Sequence, residues 1–194
     1  MSTRAAAAQA TRTALIDAAI ERFAADGLGA SFTAVAAEVG VTKGALYHHF
    51  GSKEGLVEAV YKEAIRRHAE RVEAASADGT GRQRLLALID ASARLYASGT
   101  PSYRLLVSLH LAAASDRPAL ADIARRVQRA QRDHMIELAR QGQRDGSIRP
   151  ALDAEALGLT VNAALSGFLT QQLEPPAQQR RWVAKFRSLL EDLL

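Results

Sequence analysis

The chain has 194 residues, with 25 lysines and arginines against 21 aspartates and glutamates, a formal net charge of +4. That length gives room for one or two small domains, and 48% hydrophobic content is enough for an ordinary core. The lack of cysteine excludes disulfides, thiolate zinc sites and cysteine nucleophiles. No apolar run approaches the roughly 18 residues of a membrane span. The alanine-rich opening lacks the core and flanks of a signal peptide, so a cytoplasmic protein with no membrane partner is expected. Arginine outnumbers lysine 21 to 4 and alanine is abundant, the pattern of a GC-rich bacterial genome.

From Thr11 to about Ala25, Leu15, Ile16, Ala19, Ile20 and Phe23 recur at helical spacing, closed by Asp26 and Gly27. Ser31 is then a good N-cap for a helix of about two turns, with Val35, Ala36 and Val39 on its apolar face. Gly40 ends that helix, Val41 is the apolar residue a short turn must bury, and Thr42 caps a second helix through Phe50. Leu46 and Phe50 are four apart and face inward together. Lys43, Gly44, Ala45, Tyr47 and His48 face the other way: a cation, two residues small enough to admit a base edge, and two flat side chains with hydrogen-bonding tips. Two short helices around a tight glycine turn form a helix-turn-helix, a unit that reads DNA sequence.

Ser52 caps a long helix through about Ala75, with Leu56, Val57, Val60, Tyr61, Ala64 and Ile65 on its apolar face. Lys53 at its start is unfavourable for the helix dipole, and a nearby phosphate would make sense of it. The stretch from Ser76 to Gly81 is the clearest break. Helices follow through Leu85 to Leu95, from about Ser102 to Ala113, and from Pro118 to near Gly146. Leu157, Val161, Leu165 and Leu169 sit four apart, interleaved with Ala163, Ala164, Ser166 and Gly167. After Pro175 and Pro176, Trp182, Phe186, Leu189 and Leu193 form a second stripe. Two such helices from each subunit would build a four-helix dimer interface. No strand pattern, internal repeat or low-complexity linker competes with an all-α reading.

Bulk charge does not mark a nucleic-acid surface, because residues 1–75 hold nine basic and nine acidic side chains. What remains is placement: Arg4, Arg12, Lys43 and Lys53, with Glu38 the single acid between Gly27 and Lys53. Such a protein depends on dimerisation and well-placed contacts.

The opening amphipathic helix, the run GVTKGALYHHF and the following GSKEGL together resemble the tetracycline-repressor (TetR) family of one-component bacterial regulators, over roughly Thr11 to Ala69. The resemblance implies a three-helix helix-turn-helix DNA-binding domain at 9–69, with its motif at about 31–50, and a helical ligand-binding and dimerisation domain at 70–194. Ser31 and Thr33 are similar to positions touching the DNA backbone or a base edge. Thr42, Lys43, Gly44 and Ala45 look like base-reading positions, Tyr47 and His48 resemble the pair that grips flanking phosphates, and Lys53 resembles a backbone contact. Phe32 departs from the family, which often has a threonine or serine there, so Thr33 is expected to take that role.

The family also implies a small-molecule effector. Tyr96, Tyr103, His110, His134, Asn162 and Gln171 are polar groups in apolar surroundings, the mixture of a ligand site. His110 and His134 have no partner at helical spacing and are not read as metal ligands. No nucleophile, metal cluster or acid and base pair has usable spacing, so neither enzyme nor cofactor is expected. The expected partners are a palindromic double-stranded operator, an effector of unknown identity and a second copy of the chain. The resulting function is a repressor released by an inducer. A ligand-responsive activator or a sequence-indifferent architectural DNA binder is the alternative.

Overall fold

The computed structural model describes residues 3–98, 100–114, 117–170 and 175–194. Among these the chain forms nine helices and no strand. They are α1 (Thr3–Asp26), α2 (Phe32–Glu38), α3 (Lys43–Phe50), α4 (Lys53–Ala75), α5 (Gly81–Ser98), α6 (Pro101–Ala113), α7 (Pro118–Arg144), α8 (Ala154–Thr170) and α9 (Pro176–Leu193). The all-α expectation holds. α1 begins more than two turns before the apolar periodicity does. The extra turns are alanine-rich and solvent-exposed, so they rest on helix propensity and give no buried stripe to read.

The chain divides into two compact units. One holds residues 1–66 and 101–121, the other 67–100 and 122–194, so α4 runs through the division. The sequence reading placed everything after residue 69 in one body, whereas α6 packs along α1 in the first unit. Its Tyr103, Leu105, Leu106, Val107, Leu109 and Ala113 are buried. Periodicity told that α6 had a wide apolar face but not which neighbour would cover it.

In the first unit Leu15, Ala19 and Ile20 of α1, Val35 and Ala36 of α2, Leu46 of α3, and Leu56 and Val60 of α4 make a continuous core, each at most 1% exposed. Tyr61 joins them, and burial pushes its phenol pKa up to about 12, so it stays neutral at any working pH.

In the second unit α5 packs on α9 and α8. The amino end of α5 is capped from the turn after α7: the Gly81 amide donates to Asp145 Oδ2 at 2.7 Å, and the Arg82 amide to Ser147 Oγ at 3.2 Å. A Cβ on Gly81 would lie 2.1 Å from the Gly142 nitrogen, so glycine lets the two backbones meet. Arg187 of α9 pairs with Asp90 of α5 at 2.9 Å.

The α8 stripe expected at an interface is instead core: Leu157, Val161 and Leu165 are all buried, while the side chain of Leu169 lies outside the described residues. Four-residue spacing marks a face without saying whose surface covers it. On α8 and α9 the large apolar side chains left outward among the described residues are Leu159, Leu189 and Leu193, with Leu189 at 64% exposure. Trp182 and Phe186 are half-buried, and Phe186 meets Phe168 edge-on at 5.9 Å.

Candidate nucleic-acid interface

The turn between α2 and α3 is fixed by its own hydrogen bonds. Gly40 adopts φ +71°, which only glycine takes without strain. Its amide donates to the Ala37 carbonyl at 3.1 Å and the Val41 amide to Ala36 at 3.0 Å, closing α2 with a two-bond left-handed cap. Val41 is half-buried in the turn, less covered than the sequence suggests.

Both motif helices start on hydroxyl caps. Ser31 Oγ accepts from the Thr33 amide at 3.2 Å, and Thr42 Oγ1 from the Ala45 amide at 3.1 Å. A hydroxyl that accepts from an amide keeps its own proton to donate, so capping leaves each with one donor. Ser31, Thr33 and Thr42 are exposed.

α3 separates its faces cleanly. Leu46 is fully buried, Lys43, Gly44, Tyr47 and His48 are exposed, and Ala45 is half-buried. Phe50, expected to point inward with Leu46, is only half-buried, and the Arg12 guanidinium lies over its ring at 5.0 Å from the centroid. The Tyr47 ring rests on Phe32 at 5.3 Å, and Lys43 Nζ lies 5.7 Å from the centre of the Tyr47 ring.

Gly44 has no structural reason to be glycine: a Cβ there would meet only Thr42 Oγ1, at an ordinary 3.7 Å. Glycine inside a helix costs about 1 kcal/mol relative to alanine. An exposed glycine with room for a side chain leaves a gap in the surface, open to something from outside. Gly55 is the opposite case, since a Cβ there would stand 2.1 Å from the Phe50 carbonyl oxygen.

Lys53 differs from the unpaired cation expected at the start of α4. Its Nζ donates to the Gly29 carbonyl at 3.0 Å, tying α4 to the loop after α1. An ammonium has three donors, so two remain. Glu38, the acid nearest the motif in sequence, is paired with Arg22 at 3.3 Å.

The six residues expected to touch an effector do not gather in one unit. Tyr103, buried, and His110, half-buried, lie on α6 in the first. His134, exposed on α7, and Asn162, half-buried on α8, lie in the second. The side chain of Tyr96 and the whole of Gln171 lie outside the described residues.

Residues 15–60, which span the second half of α1, all of α2 and α3 and the start of α4, match the family model described as bacterial regulatory proteins of the tetR family. Over this segment the chain is similar to the TetR-family regulators. The HTH-type transcriptional regulator UidR of Escherichia coli K12 is 39% identical over 71 residues, covering 34% of this chain and 36% of UidR. The chain thus spans about a third of the length of the curated relatives it matches. A TetR transcriptional regulator from Chloroflexus aurantiacus superposes with a TM-score of 0.83 at 25% identity, covering 95% of this chain and 96% of that one. FadR of Bacillus subtilis, solved in complex with stearoyl-CoA, shares the TetR fold at a TM-score of 0.71 and 20% identity, covering 90% and 96%. TetR proteins are regulators, not enzymes. No helix among the described residues is long and apolar enough to cross a membrane.

Two features of the motif were beyond sequence reasoning. Phe32, read as a departure from the family, is the platform under Tyr47. Arg12 was visible as a local cation, but its seat on Phe50 is a contact between α1 and α3 that no local pattern announces.

Proposed function

We propose that the chain is a homodimeric, sequence-specific DNA-binding repressor, released from a palindromic operator by a small-molecule inducer. The observation that carries the DNA-binding part is the outward face of α3. Thr42, Lys43, Gly44, Tyr47 and His48 are exposed on a helix whose opposite side is anchored by a fully buried Leu46. The match of residues 15–60 to the tetR family supports the same reading. Ser31, Thr33 and Lys53 serve as backbone contacts, Thr42 to Ala45 read base edges, and Tyr47 and His48 hold flanking phosphates.

Dimerisation is supported by Leu159, Leu189 and Leu193, apolar side chains left in solvent on α8 and α9. Ala163, also outward on α8, is small enough to let a partner helix approach. Release by an inducer rests on the fold shared with FadR, whose structure holds stearoyl-CoA. Tyr103, His110, His134 and Asn162 remain the described candidates for effector contacts. A ligand shifts the DNA-binding equilibrium only by its difference in affinity between the two states.

The reading is tested by incubating the full chain with random duplexes, sequencing those retained, and then screening compounds by thermal shift for ligands that release the selected duplex. Enrichment of an inverted repeat and release by at least one stabilising compound are expected. Retention of duplexes without sequence preference would leave the architectural alternative instead.

A further inference from the structure

The Arg12 guanidinium is seated on an aromatic ring and pairs with no carboxylate among the described residues. Its guanidinium sits over the Phe50 ring at 5.0 Å, and among the described residues it makes no hydrogen bond or ion pair. Its neighbours contrast with it. Arg22, on the same helix, is paired with Asp26 at 3.4 Å and Glu38 at 3.3 Å, and Lys53 is bonded to the Gly29 carbonyl. A guanidinium over a ring face does not use its N–H donors there, so they remain to meet the paired oxygens of a phosphate. The ring also fixes the side chain beforehand, so little rotamer freedom is lost when an anion arrives. The stack stands at the carboxyl-terminal turn of α3, directly after the exposed Tyr47 and His48.

We propose that Arg12, presented by Phe50, is a further DNA-backbone contact that grips a phosphate beside the carboxyl end of the recognition helix. This rests on the DNA-binding reading above. A phosphate contact adds affinity and salt dependence without sequence preference, whereas a merely structural arginine, bracing α1 on α3 or opposing the α3 dipole, would not move the salt slope.

The experiment measures affinity of the full chain for its selected duplex across a salt series, for the parent, Arg12→Gln, Arg12→Lys and Phe50→Leu. Each lost phosphate contact lowers the slope of log affinity against log salt by about 0.9, so Arg12→Gln in a dimer should lower it by roughly 2. Its base preferences should be unchanged. Arg12→Lys should keep the parent slope with weaker binding, because an ammonium cannot make the paired contact. Phe50→Leu should weaken the parent but add nothing to Arg12→Gln. A folded Arg12→Gln with the parent slope overturns the assignment, as does a Phe50→Leu penalty undiminished in the Arg12→Gln background. If Arg12→Gln does not fold, the Phe50→Leu series decides, since an unaltered affinity there overturns it too. A parent that selects no sequence removes the DNA-binding reading and this contact with it, whereas a selective parent beside an unaltered Arg12→Gln removes the contact alone.

Discussion

The ring of Tyr47, 42% exposed on α3, leans on the buried ring of Phe32 at the start of α2, with centroids 5.3 Å apart and planes tilted by 58°. The contact holds an outward aromatic at a set angle, which would aim its hydroxyl in advance at the phosphate proposed for it. Tyr47→Ala should weaken operator binding at least tenfold, about 1.4 kcal/mol, and lower unfolding stability only by about 0.5–1.5 kcal/mol, the size of the lost aromatic pair with Phe32. Fluorescence anisotropy with chemical denaturation checks both. Parent-like affinity in a folded Tyr47→Ala protein would show that this face does not meet DNA.

The motif was legible because its signals are local. A capping hydroxyl, a glycine at the turn and apolar residues four apart each act within a few residues, and Ser31, Gly40, Thr42 and Leu46 all do what their chemistry requires. What stayed hidden depends on neighbours distant in sequence. Leu157, Val161 and Leu165 present the same pattern whether their own unit or a second subunit covers them, and here their own unit does. The wide apolar face of α6 gave no hint that α1 would receive it. Lys53 reads as a free cation until the Gly29 carbonyl, 24 residues earlier, is brought to it.

Gly44 and Gly55 should respond oppositely to alanine. Gly44→Ala has room for its methyl and replaces a glycine in the first turn of α3, so it should stabilise the fold by less than the ~1 kcal/mol of a helix-interior site while obstructing DNA approach. Gly55→Ala must displace the Phe50 carbonyl and should destabilise by roughly 1–3 kcal/mol. Urea midpoints of the two variants check this, and a Gly44→Ala protein with full operator affinity would contradict the close approach assigned there.

Leu189 is the most exposed of the large apolar side chains among the described residues, at 64%, with Leu193 four residues on at 41%. Leu189→Glu should shift the chain from dimer to monomer in sedimentation velocity and reduce operator affinity by more than tenfold, because one half-site is then held alone. A dimer of parent strength in this variant would place the interface elsewhere.

Acid should weaken the fold before carboxylates begin to protonate. His68 and His110 are half-buried, and burial lowers both pKa values, with Arg71 adding to the effect at His68. On unfolding each returns to about 6.5, so the unfolded chain binds more protons as pH falls through that value. Stability is therefore full above about pH 6.5 and is lost as pH drops from there toward the lowered folded values. Denaturation midpoints should be lower at about pH 5.5 than at about pH 7.5, and His68→Gln should narrow the gap. Equal midpoints at both pH values would contradict the burial argument.

The central claim is that the exposed start of α3 reads bases as one half of a symmetric pair. Binding-site selection run in parallel on the parent and Lys43→Ala measures it most directly. The parent should enrich an inverted repeat whose half-sites lie one helical turn, about 34 Å, or a multiple apart, and Lys43→Ala should enrich a repeat of the same spacing with altered bases. Identical base preferences in the two pools, or a parent pool without a repeat, would contradict it.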